Sequence, residues 1–300
     1  MTALEPIPVK LQLHGVDHTA RPTWKLRETI EFYRDKLGLP LIHVISARGW
    51  GPKTHPDFLH FFFDSGKGST IAFFYYLGSQ QPQTLDGRSE MRPAPDDHVF
   101  DATHTAWEVE SAGELQAWKH KLEAQGLNVS VETRHEVIES IYVRDPNGYF
   151  IEFTRKLRPL GELDASDGLL TLQAALDAED QAHSEGRRMT EIDEVWARKA
   201  QLIDAQVGGG SAAIRLYIPQ VEEFSSIVKD AANRSDCRVV PMTGYDRIDA
   251  DAPIEFRRSV LALKPAIWYG LFTGGVHGTI EILDRDRVVI TPPLAGPAGM

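Results

Sequence analysis

Three side chains in this 300-residue chain have the types and placement to bind a divalent metal: His18, His104 and Glu152. Each histidine begins the tripeptide His-Thr-Ala, which occurs twice. Glu152 stands between Ile151 and Phe153, where a buried carboxylate needs a partner, and a metal ion is one such partner. The alternatives are a Glu152 that faces water on an edge strand and histidines that are ordinary polar residues.

Two imidazoles and one carboxylate form a facial ligand set if they converge. Such a set occupies one side of a divalent metal and leaves other positions open, which suits non-heme Fe(II). Convergence requires that the two His-Thr-Ala segments occupy equivalent places in a repeated structure, with His18 and His104 close to the axis that relates the two copies. The surrounding sequence therefore has to contain a repeat.

The sequence does contain a repeat. Each His-Thr-Ala segment precedes a helical pattern that ends at a Gly-Leu pair, over Trp24–Lys36 in the first copy and around Leu115, Trp118 and Leu122 in the second. Strand patterns follow at Leu59–Phe63, Thr70–Leu77, Val129–Val131, Ile138–Arg144 and Tyr149–Thr154. Each copy therefore predicts a βαβββ module, and the polar stretch Gly78–Asp97 links the two.

A hairpin in the second copy positions the candidate carboxylate. Asp145-Pro-Asn-Gly148 is a turn sequence, and period-two alternation after it places Phe150, Glu152 and Thr154 on one face of the returning strand. The same alternation predicts that His60 in the first copy shares a strand face with Phe62.

The chain beyond residue 156 has a different pattern. Apolar residues recur there at helical spacing, at Leu169, Leu172 and Leu176 and again between Ile192 and Ile203, which predicts two amphipathic helices. Gly208–Gly210 is typical of a flexible linker, and a small α+β pattern follows it. The predicted fold class is α+β, with a paired βαβββ metal-binding domain over residues 1–156, a helical connector over 157–210 and an accessory domain over 211–300.

The repeat resembles the vicinal oxygen chelate superfamily, which includes glyoxalase I, fosfomycin-resistance proteins and extradiol dioxygenases. The resemblance covers about Leu11–Arg155, or half of the chain. Three pieces of the second copy together are similar to the extradiol ring-cleavage signature. They are Thr133-Arg-His135, then Ile141-Tyr142-Val-Arg-Asp145-Pro-Asn-Gly148, and finally Glu152. Because the superfamily shares the Asp-Pro-Asn-Gly…Glu part, His135 and Tyr142 carry the likeness to the dioxygenases.

This resemblance implies a metal bound by His18, His104 and Glu152, with His135 and Tyr142 beside the substrate. In that chemistry a catechol-like aromatic chelates Fe(II), O2 binds in a neighbouring position, and the histidine and the tyrosine shuttle protons. The implied activity is an Fe(II)-dependent, extradiol-type dioxygenase of aromatic catabolism. Mn(II) is the alternative metal.

Two positions depart from patterns in this superfamily. Its isomerases use a fourth, acidic ligand where this chain has Ala72, so a three-ligand site is favoured. Its dioxygenases usually have a further active-site histidine, for which His98 is the nearby candidate. The alternatives to a dioxygenase are a Mn(II)- or Fe(II)-dependent lyase, isomerase or thiol transferase that consumes no O2, and a metal-free protein that sequesters a small molecule in an aromatic cleft.

Composition bears on other classes of protein. The 32 Lys and Arg against 43 Asp and Glu give a net charge of −11, which is not the pattern of a protein that binds nucleic acid or anionic membranes. A single cysteine, Cys237, forms no intrachain disulfide and no Cys-type zinc site. We therefore expect a soluble, cytoplasmic homo-oligomer whose partners are O2 and a small aromatic or vicinal-oxygen substrate.

Overall fold

A computed structural model describes residues 15–49, 54–83, 88 and 102–293. Within these residues, contacts group the chain into two compact units. The first unit comprises the described residues up to Glu132 together with Ser140–Arg155. The second unit comprises Thr133–Glu139 and the described residues from Lys156 onward. Both predicted βαβββ modules begin in the first unit.

The first module has the predicted βαβββ order. Its elements are β1 His18–Pro22, α1 Leu26–Ile30 with a π-helical continuation over Glu31–Lys36, β2 Leu41–Ala47, β3 Phe58–Asp64 and β4 Thr70–Tyr76. Gly38 follows the helix with φ +81°, a left-handed conformation that favours glycine. The strands form one sheet in the order β1-β4-β3-β2, in which β1 and β4 run parallel.

The second module repeats this arrangement. Its elements are β5 His104–Glu108, α2 Ala112–Ala124, β6 Thr133–Arg134, β7 Ile138–Arg144 and β8 Phe150–Lys156, and the sheet order is β5-β8-β7-β6. The β5 and β8 strands run parallel, as β1 and β4 do. The predicted α+β class with paired βαβββ modules is therefore confirmed.

One strand of the second module differs from the prediction. In place of a strand at Val129–Val131 there is a single bridge between Val129 and Val143, and the short strand β6 begins at Thr133. Regular pairing stops because the hydroxyl of Ser130 accepts the backbone N–H of Tyr142 at 2.9 Å. The Ser130 hydroxyl therefore accepts the Tyr142 N–H of the β7 backbone, which in a regular ladder would donate to a carbonyl of the neighbouring strand.

A buried polar contact joins the two modules inside the first unit. The hydroxyl of Tyr33, which lies in the helix of the first module, donates to Asp145 at 3.0 Å. Asp145 also accepts the backbone N–H groups of Asn147 and Tyr149, at 2.9 and 3.0 Å, so it organises the turn between β7 and β8. Gly148 closes that turn with φ +90°. The hairpin that carries Glu152 is thereby fixed to the first module.

The second unit begins with two long helices and continues as a small α+β fold. Its further elements are α3 Glu162–Ser184, α4 Asp193–Val207, β9 Ile214–Pro219, α5 Ser225–Ala232, β10 Arg238–Pro241, β11 Tyr245–Ala250, β12 Ile254–Arg257, α6 Arg258–Leu261, α7 Pro265–Tyr269, β13 Val276–His277, β14 Thr279–Leu283 and β15 Arg287–Thr291. The strands form sheets in the orders β10-β11-β9-β13 and β12-β15-β14. Among the residues described, no helix has the length and apolar character needed to span a bilayer.

The predicted leucine stripe of α3 is not its buried face. Leu169, Leu172 and Leu176 are more than half exposed, whereas Ala174 and Ala178 are buried against α4. Small alanines allow close approach of two helices, and helical spacing alone does not show which stripe faces the neighbour. Lys199, which interrupts the second stripe, is fully buried because Asp167 and two further oxygen atoms accept its ammonium hydrogens.

Candidate metal centre

Strand register places the candidate ligands on equivalent positions of the two modules. In the second module, Ala106 of the His104-Thr-Ala segment pairs with Glu152. In the first module, Ala20 of the His18-Thr-Ala segment pairs with Ala72. Ala72 therefore occupies in the first module the place that Glu152 occupies in the second. The alanine methyl group cannot ligate a metal, so only the second module offers a carboxylate at this position.

The structure brings His104 and Glu152 together. Nε2 of His104 lies 2.9 Å from Oε2 of Glu152, whose side chain is only 4% exposed. Two ligand atoms that bind one ion at right angles, each about 2.1 Å from it, are about 3.0 Å apart. The pair therefore has both the donor types and the separation of two adjacent ligands of one divalent ion.

Ser140 holds the other oxygen of Glu152. Its hydroxyl donates to Oε1 at 2.5 Å and lies 2.9 Å from the hydroxyl of Thr154. Ser140 is fully buried, which fixes the orientation of the carboxylate. Sequence reasoning missed this residue, although alternation along β7 places Ser140 on the same face as Tyr142.

Tyr142 lies against the His104–Glu152 pair. Its ring centroid is 6.4 Å from that of His104 and 6.0 Å from that of Phe150. Burial, together with the negative charge of Glu152, raises the pKa of Tyr142 to about 12. The phenol is therefore protonated at neutral pH and can act as a hydrogen-bond or proton donor.

His18 is presented differently from His104. Its Nδ1 lies 2.7 Å from the carboxylate of Asp17, and its ring packs edge-on against Phe62 at 5.9 Å. A carboxylate on one ring nitrogen is the usual support for a histidine that ligates through the other. Within the part of the chain that the structure describes, no group of three or more His, Cys, Asp or Glu side chains is arranged to hold a metal ion.

Aromatic rings and further histidines surround His18 in the first module. The His60 ring stacks on Phe74 at 3.6 Å, its Nδ1 lies 3.1 Å from the carbonyl oxygen of Phe73, and it contacts Phe62 edge-on. His43 also packs on Phe62. Burial lowers the pKa of His60, and the nearby His18 and His43 lower it further. This face of the sheet can stack against a flat organic molecule.

Two predicted residues, His135 and His98, are not part of this group in the first unit as the structure describes it. His135 belongs to the segment Thr133–Glu139 of the second unit, where its backbone N–H donates to the carbonyl of Ile138 at 2.9 Å. The His104–Glu152 pair belongs to the first unit, so a role for His135 beside that pair stays a prediction. His98, the candidate for an additional active-site histidine, lies outside the described residues.

A cavity of about 480 Å³ in the first unit reaches His104. Its walls include Thr19 on β1, Lys67 in the turn between β3 and β4, Thr70 at the start of β4 and Thr105 on β5. Ligand sites for small molecules have volumes of this order. The region around His104 therefore has room for a small organic ligand.

Comparison with known proteins is informative for about half of the chain. Residues 15–153 match the model of the Glyoxalase/Bleomycin resistance protein/Dioxygenase superfamily. No curated protein matches the chain. Among solved structures, lactoylglutathione lyase from Agrobacterium tumefaciens is similar, with 21% identity over 48% of this chain and 94% of that one and a TM-score of 0.32.

Two further solved structures illustrate the range of proteins that are similar. The fosfomycin resistance protein FosX from Listeria monocytogenes, in complex with Mn(II) and a dihydroxypropylphosphonic acid, is 19% identical over 50% of this chain and 96% of that one, with a TM-score of 0.33. TnmS3, an antibiotic binding protein from Streptomyces, is 14% identical over 49% of this chain and 99% of that one, with a TM-score of 0.33. The family match does not extend into residues 154–300.

Proposed function

Residues 15–153 form a domain of the glyoxalase/bleomycin resistance protein/dioxygenase superfamily, and from this premise we propose that the protein is an extradiol-type dioxygenase. It would cleave a catechol-like aromatic ring with O2, using Fe(II) held by His18, His104 and Glu152. The observation that carries this proposal is the contact of His104 with the buried carboxylate of Glu152, with the protonated Tyr142 against it.

The donor set suits Fe(II). Two imidazole nitrogens and one carboxylate oxygen are the ligands of non-heme Fe(II) sites with open positions, and Mn(II) accepts the same donors. His18 would bind through Nε2, because Asp17 engages its Nδ1. When bound, Fe(II) supplies the Lewis-acid and redox chemistry that a catecholate and O2 require.

The protein side chains have separate tasks in this proposal. Ser140 fixes Oε1 of Glu152, which leaves Oε2 directed toward His104. Tyr142 keeps its proton through the physiological range and donates to a substrate oxygen next to Glu152. His135 is proposed as the group that takes or returns the second substrate proton. The half-buried rings of Phe62 and Phe74, which pack on the buried His60, would stack on the ring of the substrate.

A second candidate function has its own observation in favour. The described residues contain no preformed three-ligand group, and the first module offers a stacking surface of rings. A protein that binds a flat molecule without metal would have these features. The buried Glu152 argues for the metal enzyme, because a binding cleft gains nothing from a carboxylate aimed at a histidine.

The deciding experiment measures O2 uptake by protein loaded anaerobically with Fe(II), over a panel of catechols. We expect uptake with a coloured ring-opened product, and loss of both in His104→Ala. His120→Ala, which removes an exposed histidine of α2, is the matched control and should keep the activity.

Three other results would redirect the proposal. Metal-dependent turnover without O2 loss would favour a Mn(II) or Fe(II) lyase, isomerase or thiol transferase. A wild-type protein that retains no metal but binds catechols would establish the binding protein. Equal O2 uptake by wild type and His104→Ala would show that free iron is responsible and would refute the assignment of His104.

A further inference from the structure

A row of exposed leucines runs along α3 in the second unit. Leu169, Leu172 and Leu176 are 71%, 64% and 57% exposed. Their spacing of three and four residues places them on one face of the helix, opposite the alanines that pack on α4. We call this row the leucine face. Single exposed leucines are common on protein surfaces, but three neighbouring ones form a continuous apolar patch, and such patches mark binding surfaces.

The leucine face continues into a cavity of about 450 Å³ in the same unit. Leu172 lines this cavity together with Leu160, which is 69% exposed. Leu163 and Val221 extend the apolar lining, and Glu136 belongs to it as well. The surface therefore combines an apolar ridge with a neighbouring cavity. It can receive the apolar side of a helix and, next to it, one inserted side chain.

The charged side chains of α3 are all acidic. The helix contains six Asp and Glu residues and no Lys or Arg. Three of the acids form ion pairs with Arg or Lys side chains of the same unit. The other three, Glu162, Glu179 and Asp180, are exposed and have no hydrogen bond or ion pair with a described residue. Helical spacing places them at the two ends of the leucine face.

Glu136 adds an unpaired carboxylate to the cavity. Its side chain is half-buried and has no hydrogen bond or ion pair with a described residue. Burial raises the pKa of Glu136, and the negative charges of Glu223 and Asp167 raise it further. A cationic group next to Glu136 would stabilise its charged form and offset this repulsion.

We propose that the leucine face and the adjoining cavity bind a basic amphipathic helix of another polypeptide. Apolar side chains of that helix pack on the leucine face, and its Lys or Arg side chains lie beside the three unpaired acids at the two ends. One further basic side chain enters the cavity, where its aliphatic stem contacts Leu160 and its charge lies beside Glu136.

Charge distinguishes this partner from other occupants of an apolar face. A second copy of α3 would bring six more acids and no counter-charge, and each whole chain has a net charge of −11. An anionic membrane would be repelled for the same reason. A basic helix covers the leucines and is attracted by the acids at the same time, so it satisfies both features of this surface.

Fluorescence anisotropy of a labelled model peptide, titrated with the full chain, tests this chemistry. The probe is a peptide of leucine and lysine with about 14 residues, or four helical turns, whose leucines recur at helical spacing. One control peptide has glutamate in place of every lysine, and a second has the composition of the probe in an order that gives no apolar helix face. We expect saturable binding of the probe, at least about tenfold weaker binding of each control, and lower affinity as salt is raised.

Variants assign the binding to this surface. Leu172→Gln should weaken binding of the probe by about tenfold or more, because it removes the leucine that the leucine face shares with the cavity. Glu136→Gln should weaken it severalfold, because a charge-assisted contact becomes a neutral one. Val260→Gln changes a similarly exposed apolar residue outside α3 and outside the cavity lining, and this variant should bind the probe as wild type does.

Several outcomes overturn the proposal. They are no saturable binding of the probe, equally tight binding of either control peptide, and equal effects of Leu172→Gln and Val260→Gln. A dimer of the wild type that Leu172→Gln dissociates would assign the leucine face to a second copy instead. Unchanged affinity in Glu136→Gln would refute the inserted basic side chain.

Folding of the variants is checked by their melting temperatures. If Leu172→Gln is unfolded, Leu169→Gln decides, and unchanged affinity of the probe for that variant refutes the leucine face. Neither metal nor O2 takes part in these measurements, so their outcome is separate from that of the dioxygenase proposal.

Discussion

The two βαβββ modules share one scaffold but differ in what they place on it. The strands β3 and β7, and likewise β4 and β8, each have seven residues, and position by position His60 corresponds to Ser140 and Ala72 to Glu152. Phe62 corresponds to Tyr142 in the same way. The second module therefore carries the buried carboxylate and its supporting hydroxyl groups, whereas the first carries rings.

This difference shows how a repeat can divide binding from chemistry. The two copies of a duplicated module begin with the same side chains at equivalent positions. One carboxylate is enough for a three-ligand site when each copy supplies a histidine. The copy without the carboxylate can then use the equivalent space for aromatic contacts. In the proposed enzyme, the second module holds the reacting groups and the first module holds the ring of the substrate.

The largest effect is expected from Glu152→Gln, which removes the carboxylate that the first module also lacks at the equivalent position, Ala72. Loss of a direct ligand should weaken Fe(II) binding by more than the roughly 100-fold that changes in supporting residues cause. Metal content after desalting and O2 uptake measure this directly. Glu123→Gln, on the exposed face of α2, is the control and should retain Fe(II). Full Fe(II) retention by Glu152→Gln would refute its role as a ligand.

The next effect is expected from Tyr142→Phe, which gives the second module the phenylalanine of the first. Loss of the donor should reduce kcat by about 10²- to 10⁴-fold while Fe(II) content stays unchanged. Because burial and Glu152 raise the pKa of Tyr142 to about 12, the wild-type pH–rate profile should show no loss of activity from its deprotonation below about pH 11. An unchanged kcat in Tyr142→Phe would exclude it as the proton donor.

A smaller effect is expected from Ser140→Ala, which removes the hydroxyl that orients Glu152. Ser140 is a positioning residue, so Fe(II) affinity should fall by about 10- to 100-fold, and kcat measured at saturating Fe(II) should change less. Ser184→Ala, which removes an exposed hydroxyl in α3, is the control. A fall in kcat with unchanged Fe(II) affinity would show that Ser140 acts on the reaction and not on the ligand.

Local patterns in the sequence were enough to predict which face of a strand a side chain occupies. Alternation along β8 predicted Glu152 on the face of Phe150 and Thr154, and the repeat predicted His104 close to it. In the structure Nε2 of His104 lies 2.9 Å from Oε2 of Glu152, and their role as metal ligands stays a prediction. Ser140 was missed because its contact with Glu152 joins two strands, and alternation within a strand does not identify the partner across the ladder. Whether His18 completes the ligand set stays a prediction for the same reason.

The second unit shows the same limit for helices. The spacing of Leu169 and Leu172 predicted a helix, and α3 exists, but its buried stripe consists of alanines. Lys199 interrupted an apolar pattern, yet its ammonium group is buried with Asp167. In both places a long-range partner decided which side chains are buried, and periodicity carries no information about that partner.

The smallest effect concerns the contact that holds the two modules together. Tyr33→Phe removes the buried hydrogen bond from the first module to Asp145 and leaves a carboxylate oxygen with one donor fewer. The first unit should lose about 1–3 kcal/mol of unfolding free energy in urea. Tyr75→Phe is the matched control, because its hydroxyl has no hydrogen bond to any described residue and its ring packs on the same core. Equal stability of the two variants would show that apolar packing alone joins the modules. A selective loss in Tyr33→Phe, accompanied by weaker Fe(II) binding, would show that the ring-bearing module fixes the hairpin that carries Glu152.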